Sequence, residues 1–316
     1  MTTLTILSRD AAHYEQLLKS TRGPLPELVQ IEKKPEDIDC SRVEILLSEP
    51  DLALQIVPHC DNLVWLQSTW AGNAPLVKLA KQDYLLTAAR GIFGTAIREY
   101  VMAYLLYFIR SIDIFHPRLG GLQSEKPRNW SQPKVDTLMH KRIGILGAGS
   151  MASSLLPALK MFGATVVGLN RSGTSSDAYD ELYPISDLLN FANGLDFVIS
   201  LLPDTPQTQG LIDKAFLAQL PPHCVLINAG RGNTVVEQAL LSALNARQLK
   251  AAVLDVFEQE PLPEAHPYWE NPYVWITQHT AAISNPKDVF RVFIENYQRW
   301  RANTTLQYSI DFKKGY

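Results

Sequence analysis

Arg231, Glu260 and His279 are the residues in this sequence best suited to chemistry, because each stands just beyond a short apolar run that reads as a β-strand. Arg231 lies in Asn228-Ala229-Gly230-Arg231-Gly232, Glu260 in Asp255-Val256-Phe257-Glu258-Gln259-Glu260-Pro261-Leu262, and His279 in Thr277-Gln278-His279-Thr280-Ala281-Ala282. A guanidinium offers paired donors to carboxylate or carbonyl oxygens, and an imidazole exchanges a proton near neutral pH. A carboxylate beside that imidazole favours its charged form. Taken singly, each residue also has an ordinary structural reading: a surface ion-pair partner, a solvated loop acid, a hydrogen-bonded structural histidine. Their shared placement joins them, since open α/β sheets bind ligands outside the carboxyl ends of their strands.

A second motif precedes these residues. The strand-like run Ile143 to Leu146 leads into Gly147-Ala148-Gly149-Ser150-Met151-Ala152, and a helical pattern follows through Leu155, Leu159 and Phe162. This is GxGxxA in a strand-turn-helix setting. Gly147 suits the tight turn, Gly149 lets backbone approach a pyrophosphate, and Ala152 allows close helix-strand packing. Ser150 and Met151 would present amides at the helix N-terminus. About twenty residues further on, where an acidic residue would bind an NAD ribose, the sequence is Leu169-Asn170-Arg171-Ser172. A guanidinium there can bind a 2′-phosphate through charge-assisted hydrogen bonds of about 1.5–3 kcal/mol. NADP is therefore favoured as cofactor, with NAD a possible second; Arg171 also reads as an ordinary solvated loop arginine.

The elements that must position these groups follow from periodicity. From Arg142 to Thr277, strand candidates at Ile143 to Leu146, Thr165 to Leu169, Phe197 to Leu201, Val225 to Asn228, Ala252 to Val256 and Val274 to Thr277 alternate with helical patterns. That alternation predicts a doubly wound parallel sheet. The chain up to about Gly94 repeats the pattern more weakly, with strands at Leu4 to Leu7, Val43 to Leu47 and Val64 to Gln67, and predicts a smaller α/β domain. Ile97, Val101, Leu105, Phe108 and Ile112 mark a connecting helix over Thr95 to Ile114. Val289, Phe293, Tyr297 and Trp300 mark another after Asn285-Pro286, expected to return to the first domain. The segment 119–132 reads as a loop.

Composition narrows the partners. The 316 residues, 46% hydrophobic and 19% charged, predict two folded domains. A net charge of -3 gives no basic footprint for nucleic acid. The longest apolar stretch, near Tyr100 to Ile109, is too short to span a bilayer, and no secretory leader is apparent, so the cytoplasm is the expected compartment. Cys40, Cys60 and Cys224 are odd in number and widely spaced, with no CxxC pair to suggest zinc or a redox couple. They read as buried free thiols, and no metal site is expected.

With these motifs assembled, the sequence resembles the D-isomer-specific 2-hydroxyacid dehydrogenases along nearly its whole length, in particular the glyoxylate/hydroxypyruvate reductase A type. The resemblance rests on Gly147 to Ala152, the run Leu201-Leu202-Pro203-Asp204-Thr205-Pro206-Gln207-Thr208, the Arg231 and Glu260 motifs, His279, and Glu99-Tyr100. It implies a Rossmann-type doubly wound domain over 95–285, a smaller flavodoxin-like α/β substrate domain over 1–94, and a C-terminal helix and tail, 286–316, returning to the latter. It implies that Arg231, Glu260 and His279 are catalytic. Leu202, Pro203, Ala229 and Gly230 would line the cofactor, and Asp255 would contact its nicotinamide end. The loop Trp70-Ala71-Gly72 would hold the substrate carboxylate on backbone N–H groups and, with Arg231, bind the substrate. Here the sequence departs from the family pattern: Trp70 stands where glycine is common, and Asn73-Ala74 replaces a Val-Asp pair. The implied activity is reduction of a small 2-oxo acid by NADPH to the D-2-hydroxy acid, in a homodimer. Two alternatives stay open: a dinucleotide-sensing binding protein of corepressor type, and a dehydrogenase for a larger 2-oxo acid.

Overall fold

The computed structural model describes residues 2–115, 134–173 and 178–313, so the loop expected over 119–132 lies outside the described residues. The chain divides into two units, Met1–Ile92 with Ser284–Tyr316, and Phe93–Ile283.

The first unit is built on five strands: β1 (Thr3–Leu7), β2 (Glu27–Glu32), β3 (Ile45–Ser48), β4 (Trp65–Ser68) and β5 (Leu85–Thr87). Helices α1 (Ala11–Ser20), α2 (Pro50–Ile56) and α3 (Ala74–Val77) connect them. The sheet is parallel in the order β2-β1-β3-β4-β5, which is flavodoxin-like. β3 and β4 are buried on both faces, which is why they read as continuous apolar runs. β2, Glu-Leu-Val-Gln-Ile-Glu, was not expected. It is a half-exposed edge strand, and its flanking glutamates dilute the apolar signal. β5 has only three residues, too few to show a period.

The second unit opens with α4 (Gly94–Ile109) and carries seven strands: β6 (Arg142–Leu146), β7 (Thr165–Asn170), β8 (Glu181–Pro184), β9 (Phe197–Ser200), β10 (Val225–Asn228), β11 (Ala251–Leu254) and β12 (Val274–Ile276). Between them lie α5 (Ser150–Ser153), α6 (Leu156–Met161), α7 (Leu188–Ala192), α8 (Lys214–Leu217) and α9 (Glu237–Asn245). All seven strands are parallel in the order β12-β11-β10-β9-β6-β7-β8. Counted from β6 this is the doubly wound order, reversing direction beside β6. Alternate side chains along each strand enter opposite cores. Val198, Leu226 and Ala252 pack with Phe191, Phe216 and Leu240, whereas Ile199, Ile227 and Val253 pack with Ile97, Val101, Leu105 and Leu159.

Two expectations about this unit are corrected. The helix expected to run to Ile114 stops at Ile109, because Ser111 adopts a left-handed φ of 54° and Ile112 beyond it is 49% exposed. The helix after GxGxxA is also interrupted, with α5 ending at Ser153 and α6 restarting at Leu156. Pro157 has no N–H for the Ser153 carbonyl, which would be its acceptor in a continuous helix, but is tolerated in a first turn.

The last helix, α10 (Pro286–Arg301), belongs to the first unit. Asn285 caps it by accepting from the Lys287 amide at 2.9 Å, with Pro286 in the first turn. Its stripe packs on β4, where the Trp65 ring stacks against Phe293 at 5.4 Å and Trp300 at 6.0 Å between centroids.

Candidate active site

Strand β6 ends at Leu146 and turns at once through Gly147. Its φ is +92°, and a Cβ there would meet the Leu201 carbonyl at 2.9 Å, so both conformation and space require glycine. The amides of Gly147 and Ala148 donate to the Leu169 carbonyl at 3.0 and 3.1 Å, drawing the turn against the end of β7. Beside Gly149 a Cβ would meet nothing within 4 Å. The amides of Met151 and Ala152 have no acceptor among the described residues. Open space beside unpaired amides fits the pyrophosphate of a dinucleotide. Ala152 is fully buried, and the Met151 side chain packs on the core, so what Met151 can offer a ligand is its amide.

The neighbouring loops close around this turn. Asn170, the last residue of β7, accepts at Oδ1 from the amides of Ser172 at 3.0 Å and Gly173 at 2.6 Å, curling the chain and leaving Arg171 exposed. Gly230 lies against the loop after β9, where a Cβ would come within 2.7 Å of Leu202 backbone. The Pro203 carbonyl accepts from Thr208 Oγ1 at 2.6 Å, and the Ala229 amide donates to Ser200 O at 3.1 Å. Gly147, Leu202, Pro203, Ala229 and Gly230 therefore gather at one edge of the sheet.

Arg231 is fixed by residues that sequence reasoning had not singled out. Buried Asn228 donates to the Arg231 carbonyl at 3.1 Å and accepts from the Gly230 amide at 3.2 Å, and Thr234 Oγ1 donates to the same Arg231 carbonyl at 2.6 Å. The Arg231 guanidinium donates to Gly230 O at 2.7 Å. Burial draws its pKa down against the opposing charges of Glu260 and Asp204, yet a guanidinium stays protonated throughout the physiological range.

Glu260 and His279 form a direct pair, with Nδ1 and Oε2 2.7 Å apart and both side chains partly exposed. The other carboxylate oxygen of Glu260 accepts from the Phe257 amide at 2.9 Å. Burial pushes the Glu260 carboxyl up, but the His279 and Phe257 hydrogen bonds and the His279 and Arg231 charges outweigh it and hold the group below the usual carboxylate range. The hydrogen bond to Glu260 raises the His279 pKa, reinforced by the charges of Glu260 and Asp255, against burial and the repulsion of Arg231. With Nδ1 engaged, Nε2 is the ring atom left for exchange of a proton.

The backbone beneath His279 is unusual. Its φ of 55° is left-handed, an uncommon conformation for a residue with a side chain. Asp255 holds it there. The Asp255 carbonyl accepts from the His279 amide at 2.8 Å, and its buried carboxylate accepts from the Thr280 amide at 2.8 Å, the Ala281 amide at 3.0 Å and the Thr277 hydroxyl. Tyr100 Oη, on α4, meets Thr277 Oγ1 at 2.8 Å. Asp255, expected at the nicotinamide end of a cofactor, thus has its observed bonds to the turn that carries His279. Tyr100 and Thr277 gave no such signal in the sequence beyond lying within motifs already noticed.

In the first unit, the loop after β4 carries Trp70, Ala71 and Gly72. The Trp70 amide donates to Ser68 Oγ at 3.1 Å and its carbonyl accepts from the Ala89 amide at 3.1 Å, which fixes the loop, while the indole is 41% exposed. The amides of Ala71 and Gly72 have no acceptor among the described residues.

Comparison with known proteins places this geometry. Residues 102–281 match the family model for the D-isomer specific 2-hydroxyacid dehydrogenase NAD binding domain. Glyoxylate/hydroxypyruvate reductase A of Yersinia enterocolitica is 35% identical over 250 residues, covering 78% of this chain and 74% of that protein. A D-isomer specific 2-hydroxyacid dehydrogenase family protein from Aeromonas salmonicida, known by crystal structure, superposes with a TM-score of 0.91 at 36% identity, covering 98% of this chain and 99% of the other. The NADPH-dependent glyoxylate/hydroxypyruvate reductase of Sinorhizobium meliloti, solved with NADP and sulfate, superposes with a TM-score of 0.83 at 25% identity over the full length of both chains. The match over more than half the chain, together with the fingerprint turn and the Glu260-His279 pair on one sheet edge, establishes that this chain belongs to the D-isomer-specific 2-hydroxyacid dehydrogenases, a family of NAD(P)-dependent oxidoreductases.

Proposed function

We propose that this 2-oxo acid reductase prefers NADPH and converts a small substrate of glyoxylate or hydroxypyruvate size to its D-2-hydroxy acid, with His279 as the proton donor. The observation that carries the reading is the 2.7 Å bond between His279 Nδ1 and Glu260, which leaves an imidazole of raised pKa on the sheet edge that holds the dinucleotide turn. Gly147, Gly149, Ser150, Met151, Leu202, Pro203, Ala229 and Gly230 would hold the cofactor, and Asp255 would stand at its nicotinamide end. Bound NADPH supplies a hydride to the carbonyl carbon.

The remaining work falls to side chains. Arg231 binds and polarises the oxygens of the oxo acid, stabilising negative charge as it develops. His279, as imidazolium, gives its proton to the new alkoxide, and neutral His279 takes it back in the reverse direction. Ionised Glu260 keeps the imidazolium populated to higher pH. In the first unit, the free amides of Ala71 and Gly72 are assigned to a substrate carboxylate, with Trp70 limiting substrate bulk. Preference for NADPH is supported by Asn170, Arg171 and Ser172 at the end of β7, where no carboxylate repels a 2′-phosphate, and by the NADP in the Sinorhizobium meliloti relative. We further propose a homodimer acting in the cytoplasm.

Initial rates with NADPH and NADH against glyoxylate, hydroxypyruvate, pyruvate and phenylpyruvate test the reading, with His279→Ala as control. Turnover that depends on NADPH and on His279 and falls with substrate bulk is the expected result. Tight NADPH binding without turnover of any acid would instead favour a dinucleotide sensor.

A further inference from the structure

Cys40 and Cys60, widely separated in sequence, meet in the first unit. Their Sγ atoms lie 3.9 and 3.2 Å from the same acceptor, the Ile56 carbonyl, which brings the two thiols to one spot. The segments that carry them are tied by Asn62 Nδ2, which donates to the Ser41 carbonyl at 2.8 Å. Cys60 is fully buried in the core beneath β3 and β4, and Cys40 is half-buried at the edge of the same cluster. Cys224 is buried in the other unit, where its sulfur contacts the Val225 carbonyl at 3.9 Å.

We propose that Cys40 and Cys60 are a thiol pair that a low-molecular-weight disulfide oxidises to an intramolecular disulfide. Cys40 meets the oxidant first, being the more accessible of the two, while burial, foremost, and the neighbouring Cys40 push the Cys60 thiol up and keep it protonated. The Cys40 thiolate attacks the oxidant's S–S bond, forming a mixed disulfide and releasing one thiolate. Cys60 then loses its proton and attacks the Cys40 sulfur, forming the Cys40-Cys60 bond and expelling the second thiolate. The protein gives up two electrons and two protons, and the oxidant becomes two thiols.

Position sets the consequence. Cys40 precedes β3 and Cys60 precedes β4, so both lie at the amino edge of the parallel sheet, opposite the carboxyl edge where α/β sheets bind ligands. A bond there closes a loop containing β3 and α2, restricts the unfolded chain and raises thermal stability. Turnover is untouched.

The full-length protein, treated with glutathione disulfide, provides the test. Thiols titrated after denaturation should fall from the three of the sequence to one, with a mass loss of two hydrogens, no glutathione adduct and an unchanged kcat. Peptide mapping should recover Cys40 joined to Cys60, a readout that needs no variant to fold. Cys60→Ser should retain one glutathione on Cys40, and Cys40→Ser should leave Cys60 unmodified. Three titratable thiols after treatment, or a stable glutathione adduct on the unsubstituted chain, would overturn the proposal. A fall in kcat on oxidation would overturn the placement of the pair away from the catalytic edge.

Discussion

At the scale of single residues, the proposed chemistry turns on how Glu260 biases His279. In the proposed reduction the His279 imidazolium is the acid form, and its pKa is raised mainly by the hydrogen bond to Glu260. Reductive activity is therefore present at low pH and lost as pH rises through that raised value. Glu260→Gln removes the negative charge and lowers the His279 pKa, so the loss should move to lower pH; a kcat/KM profile that superimposes on the parent's would remove Glu260 from this role. His279→Ala should abolish most turnover at every pH while NADPH still binds, as fluorescence titration would report. Arg171→Ala probes a different contact. If the guanidinium holds the 2′-phosphate, the loss of about 1.5–3 kcal/mol weakens NADPH by roughly 10- to 150-fold and leaves NADH nearly unchanged. Equal effects on both cofactors would mean that Arg171 does not read the phosphate.

The same site looks different at the scale of elements, because His279 is useful only where its turn holds it. Asp255 gathers the Thr277 hydroxyl and the Thr280 and Ala281 amides, and Tyr100 reaches Thr277 from α4. Thr277→Val should slacken this turn, lengthen the bond to Glu260 and lower kcat by roughly tenfold, the size of one lost hydrogen bond. The pH at which reduction is lost should fall with it, and Thr277→Ser should restore the parental profile. A lower kcat with an unshifted profile would show that Thr277 serves folding alone. Such relations were not legible in the sequence, because a hydrogen bond between Tyr100 and Thr277 spans two distant elements and leaves no local pattern. The placement of Arg231, Glu260 and His279 beyond the carboxyl ends of strands was legible because each follows a strand run, and strand runs buried on both faces stand out as unbroken apolar stretches. The edge strands β2 and β8 did not stand out, since neither face of either strand is fully covered. The meeting of Cys40 with Cys60 was equally hidden, as it depends on how two turns fold beneath β3 and β4. Packing on that core also admits a stability test. Trp65 lies fully buried between Phe293 and Trp300, and Trp65→Ala should cost about 3–5 kcal/mol, read as an earlier denaturation midpoint. A change below 1 kcal/mol would mean that α10 contributes little to the first unit.

For the molecule as a whole, the remaining question is what covers α4. Between Tyr100 and Ile109 the helix carries no charged residue, and although Val101, Leu105 and Phe108 are buried, Tyr104, Leu106, Tyr107 and Ile109 stay only half-buried. Ile112, just past its end, is 49% exposed. A helix that is apolar on nearly every side is rarely left to water, and among the described residues none is long and apolar enough to cross a membrane. The second copy in the proposed homodimer would cover this surface, because closed assemblies are commonly two-fold and bring the same patch together from both subunits. Light scattering at micromolar concentration should therefore give the mass of a dimer. Leu106→Glu, which places a charge on the half-buried face, should shift the protein toward the monomer while leaving the far side of the seven-stranded sheet, packed by Phe191, Phe216 and Leu240, undisturbed. A monomeric mass for the unsubstituted chain would end the dimer reading and leave the apolar face of α4 to be explained by another partner.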